Sequence, residues 1–182
     1  MKNKVQLISS TSTNLLEDIA MMARVSNPSN QYNTETSEKL VKYLIKHKHW
    51  SPFEMASITL EINTTRDIAH QIVRHRSFAF QEFSQRYADP AEMGYPFEIR
   101  QARIQDETNR QNSLPLDPEM DGHNILQARW FREQKKVIAA AQATYAWAIE
   151  NGIAKEQARV VLPEGLTKTR LYMSGTVRSW MH

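Results

Sequence analysis

Ala56-Ser57-Ile58-Thr59-Leu60-Glu61-Ile62-Asn63 alternates apolar and polar side chains, and within a few residues Ile68, Ala69, Ile72 and Val73 recur at helical spacing. The hydrophobic period changes from two to between three and four, so a strand with one buried face runs straight into an amphipathic helix that Thr65 can cap. Outward from this junction the predicted class is α+β: one mixed domain over residues 1–182, with several long helices packed on a small, mainly antiparallel sheet.

Immediately beyond lies Gln71-Ile72-Val73-Arg74-His75-Arg76-Ser77-Phe78-Ala79-Phe80-Gln81-Glu82-Phe83-Ser84-Gln85-Arg86-Tyr87. If the helix continues, Gln71, Arg74 and His75 stand at i, i+3 and i+4 and share the face opposite the buried stripe. The next stretch reads as a loop supplying Arg76, Glu82, Ser84 and Arg86. Arginine presents a planar fork of donors that matches phosphate and carboxylate oxygens two at a time, so an anionic ligand is one reading. The other is a solvated basic turn whose rings belong to the core.

Composition removes several classes. The chain has 182 residues, enough to bury roughly 70% of its unfolded surface in one core. Its 23 basic and 20 acidic side chains leave a net charge of +3, far from the one-signed field of a protein that coats nucleic acid. With no cysteine, disulfides, thiolate nucleophiles and cysteine-bound zinc are excluded. His47 and His49 lack a shared helical face and an acidic cluster, so no metal site is expected. The apolar run from Val137 to Ile149 is too short to span a bilayer, and the basic start leads into no signal-peptide core. These features predict a cytoplasmic protein without a membrane partner.

Toward the N-terminus, Lys4 to Ser9 reads as a strand. Asn14 and Glu17 have capping-box spacing for a helix to about Val25, and a second helix starts at Thr34 or Thr36 and ends near His47. Toward the C-terminus, residues 104–124 read as a surface excursion, and a long helix follows from about Ile125 to Asn151, with Leu126, Trp130, Val137, Ile138, Ala141, Tyr145 and Ala148 as its stripe. Glu156 to Leu162 forms a short helix closed by Pro163. Thr169, Leu171 and Met173 alternate with Lys168, Arg170 and Tyr172 in a strand, and Gly175 marks a bend before a helix start that sets Arg178 and His182 four apart.

The five glycines are too scattered for a dinucleotide fingerprint or a P-loop, and no serine sits in a nucleophile elbow. Three readings stay open on the residues alone: a site of arginine forks, a nucleic-acid-binding module that stacks bases on Phe78, Phe80, Phe83 and Tyr87 along the run 74–87, and a structural helical oligomer.

Arg74-His75-Arg76, seven residues, Ser84 and then Gln85-Arg86-Tyr87 resembles the signature of the flavin-dependent thymidylate synthases. His49-Trp50-Ser51-Pro52-Phe53-Glu54 upstream agrees with that family in order and spacing, as do Glu156-Gln157-Ala158-Arg159-Val160-Val161-Leu162-Pro163 and Thr176-Val177-Arg178-Ser179-Trp180 downstream. The resemblance spans roughly Val5 to His182. It implies a homotetramer with shared active sites that converts dUMP to dTMP, taking carbon from methylenetetrahydrofolate and hydride from FAD reduced by NADPH. It further implies that Ser51, Arg74, His75, Arg76, Glu82, Thr176, Arg178 and His182 hold FAD. Gln71, Arg74, Glu82, Ser84, Gln85, Arg86 and Arg159 would hold dUMP. Thr176 and His182 stand where the family commonly has asparagine. A further family arginine is expected beyond His182, so the resemblance predicts a chain lacking the family's C-terminal end.

Overall fold

The computed structural model describes residues 4–94 and 96–182. They form two compact units. One comprises residues 4–64, Ala69–Glu82 and Arg170–His182; the other comprises Thr65–Ile68 and Phe83–Thr169.

The first unit is built on a four-stranded sheet in the order β1-β2-β6-β3, formed by β1 (Lys4–Ser10), β2 (Ser57–Thr65), β3 (Ala79–Glu82) and β6 (Lys168–Thr176). β1 runs antiparallel to β2, with Val5 opposite Ile62 and a bulge between Leu7 and Ser9, and β3 runs antiparallel to β6. The alternation predicted for β6 is realised. Leu171 and Met173 are buried among Ala69, Ile62, Ile72, Phe80 and Trp180, while Arg170 and Tyr172 turn outward to Asn63 and Glu61. A second cluster joins Ile19 of α1 (Leu15–Ala23), Leu44 of α2 (Ser37–Lys46), Phe53 and Ala56.

Local chemistry departs from expectation at the start of α1, whereas α2 starts after its expected Thr36. Asn14 makes no capping bond; Ser12 accepts from the Asn14 N–H at 3.1 Å and donates to Asp18 instead. Arg24 is buried, and its guanidinium donates to the Asn33 carbonyl and, at 2.9 Å, to Thr36, tying the linking turn to the start of α2. α2 stops in a Schellman arrangement. The His49 N–H reaches the Leu44 carbonyl at 2.9 Å and the Lys48 N–H reaches Ile45 at 3.1 Å, which holds Lys48 at φ 58°.

In the second unit the 28-residue helix α4 (His123–Glu150), about 42 Å long, carries the core. Ile138, Tyr145 and Ala148 pack with Phe97, Ala158 and Leu162. Leu126, Trp130 and Val137, expected in the same buried stripe, are instead exposed, and on that part of α4 it is Gln127 and Gln134 that face the chain. There the buried Gln134 side chain bonds the Arg100 backbone in both directions at 2.8 Å, and Gln127 accepts from the Ala102 N–H at 3.0 Å. The expected excursion contains a hairpin, β4 (Arg103–Gln105) against β5 (Ser113–Pro115). Its turn is fixed by Asp106, which accepts bonds from Thr108, Asn109 and Asn112. Those bonds hold the Asp106 carboxyl far below the usual carboxylate range. α5 (Lys155–Ala158) follows, then the 3-10 turn Arg159–Val161. Among the described residues no helix is long and apolar enough to cross a membrane.

Candidate active site

The helix that should carry Gln71, Arg74 and His75 on one face is shorter than its sequence pattern. α3 (Arg66–Ile72) ends before Arg74, and Val73, expected inside, is exposed. The Arg74 and His75 N–H groups close turns onto Gln71 and Ile72, at 3.3 and 3.1 Å, and the chain then enters β3, where a loop was expected. The physical reason is pairing: Ala79 to Glu82 add to the free side of β6, from Ser174 to Leu171.

In the first unit the turn after α3 is anchored by aromatic packing. The His75 ring meets Phe78 edge-on at 4.8 Å, and Phe78 meets Trp180 of α6 (Val177–Met181) at 4.6 Å. Trp180 donates to the Ile58 carbonyl at 3.3 Å, and Ser179 donates to the Ser77 carbonyl at 3.3 Å. Nδ1 of His75 lies 3.1 Å from the Ser77 hydroxyl. Phe78 and Phe80 belong to the sheet cluster and are not exposed stacking platforms. Arg74 and Arg76 are exposed, and neither guanidinium has an ion-pair partner among the described residues. Glu82 is half-buried at the end of β3.

The 3-10 turn Ser51–Glu54 also reaches α6 within this unit. Glu54 accepts from the Thr176 hydroxyl at 2.9 Å and stands 3.8 Å from Arg178, whose guanidinium lies 5.3 Å from the Trp50 ring centre. Thr176 caps α6 by accepting from the Ser179 N–H at 3.2 Å. Ser51 and His182 are exposed. Six of the expected flavin residues, Arg74, His75, Arg76, Thr176, Arg178 and Ser51, thus lie on three segments that α6 ties together.

The second unit holds the other group. Ser84 accepts from the Arg86 N–H at 3.4 Å and its carbonyl receives the N–H groups of Tyr87 and Ala88 at 3.2 and 3.1 Å. The Arg86 guanidinium sits 5.7 Å from the Tyr87 ring centre. Gln85 is buried, and its amide nitrogen has no hydrogen-bond partner among the described residues. A cavity of about 460 Å³ brings Gln85 together with Arg159, Gln157, Glu156, Glu164 and Arg66. Arg159 bonds the Glu156 carbonyl at 3.2 Å rather than pairing with its carboxylate, which leaves the rest of its fork for other acceptors. Arg66, missed in the sequence, pairs with Glu164 at 3.2 Å across a separation that no local spacing reveals. Asp67 stands beside it in the chain. Partial burial raises its carboxyl, but hydrogen bonds from Thr65 and Arg100, at 2.6 and 2.7 Å, outweigh this and hold it below its usual range.

Comparison with known proteins gives this arrangement its context. Residues 6–182 match the family described as thymidylate synthase complementing protein. A protein of Paramecium bursaria Chlorella virus 1, named a probable flavin-dependent thymidylate synthase, is 55% identical over 166 residues, covering 91% of this chain and 73% of the viral one. A flavin-dependent thymidylate synthase of Synechocystis sp. is 50% identical over 165 residues, covering 90% and 71%. Among solved structures, the UMP/dUMP methylase PolB from Streptomyces cacaoi bound with 5-Br dUMP aligns over the whole chain and 76% of its own, with TM-score 0.78 and 27% identity. Motif, fold and relatives agree: the chain belongs to the flavin-dependent thymidylate synthase family.

Proposed function

We propose that the chain makes dTMP by reductive methylation of dUMP, with methylenetetrahydrofolate as carbon donor and FAD, reduced by NADPH, as hydride donor. The observation that supports this most is the polar cavity in which Gln85 and Arg159, far apart in sequence, converge with Arg66. Guanidinium forks and an unpartnered amide suit a nucleotide, whose phosphate and uracil carbonyls accept several hydrogen bonds. In this reading Gln71, Arg74, Glu82, Ser84, Gln85, Arg86 and Arg159 hold dUMP, and Ser84 donates to it without attacking it.

Ser51, Arg74, His75, Arg76, Glu82, Thr176, Arg178 and His182 hold FAD. The donor set fits that cofactor, since the exposed Arg74 and Arg76 carry charge that no neighbouring carboxylate neutralises among the described residues. Bound there, the reduced flavin supplies the hydride; the protein's own contribution is alignment and neutralisation of phosphate charge. We also propose a homotetramer with shared sites, which is supported by the exposed Ile125, Trp130, Phe131 and Trp147 on α4 and by Val5 and Leu7 on β1. Cytoplasmic residence belongs to the same proposal, because dUMP and NADPH are anions that do not cross membranes unaided.

The test is the colour and turnover of the purified protein. A flavin spectrum that bleaches with NADPH, together with dTMP formed from dUMP and methylenetetrahydrofolate, is expected. Colourless protein that takes up no added FAD overturns the reading, and a monomer in light scattering at assay concentration overturns the tetramer.

A further inference from the structure

Glu54 ends the 3-10 turn Ser51–Glu54 and faces the junction where β6 passes into α6. One carboxylate oxygen accepts from the Thr176 hydroxyl at 2.9 Å, and the other stands 3.8 Å from Nη1 of Arg178. The Thr176 hydroxyl has a single proton, and its oxygen already accepts from the Ser179 N–H, so an acceptor-only carboxylate fixes its direction. Arg178 is held twice, by Glu54 on one side and by the face of Trp50 at 5.3 Å. The Glu54 and Arg178 side chains are 42% and 38% exposed, so their attraction contributes little to stability. The contact instead restricts a side chain with large rotamer freedom, and it leaves most of the five guanidinium donors unused.

We propose that Glu54 is a positioning residue for the flavin: it pre-orders Arg178 and Thr176 before the cofactor arrives. The inference rests on the flavin reading above and adds a residue that touches no ligand in it. Ordering a rotamer-rich side chain in advance removes that cost from binding. Losing this order outweighs the gain from removing one half-exposed, screened negative charge near an anionic cofactor.

The test is FAD titration of apoprotein, followed by flavin fluorescence, for the parent chain, Glu54→Gln, Arg178→Gln and the double variant. Glu54→Gln is expected to weaken FAD binding by about threefold to tenfold. In the Arg178→Gln background the same change is expected to add little. Denaturation midpoints measured in parallel distinguish a structural role, which would lower stability equally in both backgrounds and leave FAD affinity unchanged. If Glu54→Gln does not fold, Glu54→Asp, which keeps the charge but shortens its reach to Thr176 and Arg178, is expected to give a smaller loss of affinity in a folded protein. Parent-like FAD binding by the folded variant overturns the inference, as does an equal loss in both backgrounds. A parent chain that takes up no FAD overturns the flavin reading itself.

Discussion

A Cβ on Gly175 would collide with the ring of Phe78, so the strand beside the His75 turn accepts a side chain there only if that ring moves. The ring occupies the space a side chain would need, and it is held there between His75 and Trp180. Gly175→Ala must displace Phe78, at about 1–3 kcal/mol for overpacking. Reduced stability in urea is expected, with partial recovery in Gly175→Ala/Phe78→Leu. An unchanged midpoint for Gly175→Ala would contradict the packing described.

Lys48 occupies the left-handed position that closes α2, at φ 58°, where glycine carries no steric penalty. Lys48→Gly is expected to stabilise the protein by about 1 kcal/mol, measured by chemical denaturation. Loss of stability would show that the lysine side chain makes a compensating contact.

Asp67 has a folded-state carboxyl held below its unfolded value. Its contribution is therefore fully present above the unfolded value and is lost as pH falls through the folded one, when the unfolded chain takes up the proton first. Asp67→Asn is expected to lower stability at pH 7 and to flatten the decline in acid, read from urea midpoints between pH 7 and pH 2. Parallel pH profiles for parent and variant would assign the decline to other carboxylates.

Arg159→Gln removes the guanidinium from the cavity shared with Gln85. For a lost charge-assisted hydrogen bond the expected weakening of dUMP binding is about 10-fold to 100-fold, measured calorimetrically. The parent's binding should weaken with added salt more steeply than the variant's. Equal affinity in the two proteins would remove Arg159 from the nucleotide site.

Much of the fold was legible where one period ran long enough. The alternation of Leu171 and Met173 with Arg170 and Tyr172 identified a strand whose buried face the structure bears out, and the change of period between Ile62 and Ile68 identified the step from β2 to α3, although residues 57–63 of β2 are all half-buried and Val73 is exposed. Patterns failed where an element depended on a distant partner. Nothing local marks Ala79 to Glu82 as a strand, because its donors and acceptors are satisfied by β6. The upper stripe of α4 read as core because periodicity reports which side chains share a face, without reporting what stands opposite.

The sequence by itself determined the α+β class, the family motif from Arg74 to Tyr87 and the absence of cysteine chemistry, since each is a matter of residue type and local spacing. Tertiary structure alone decided that α3 stops at Ile72, that Gly175 makes room for Phe78, that Glu54 meets Thr176 and Arg178, and that Arg66 joins Gln85 and Arg159 around one cavity. The reason is the same in each case: burial and hydrogen-bond satisfaction are settled between segments remote in sequence, while spacing along the chain carries only local geometry.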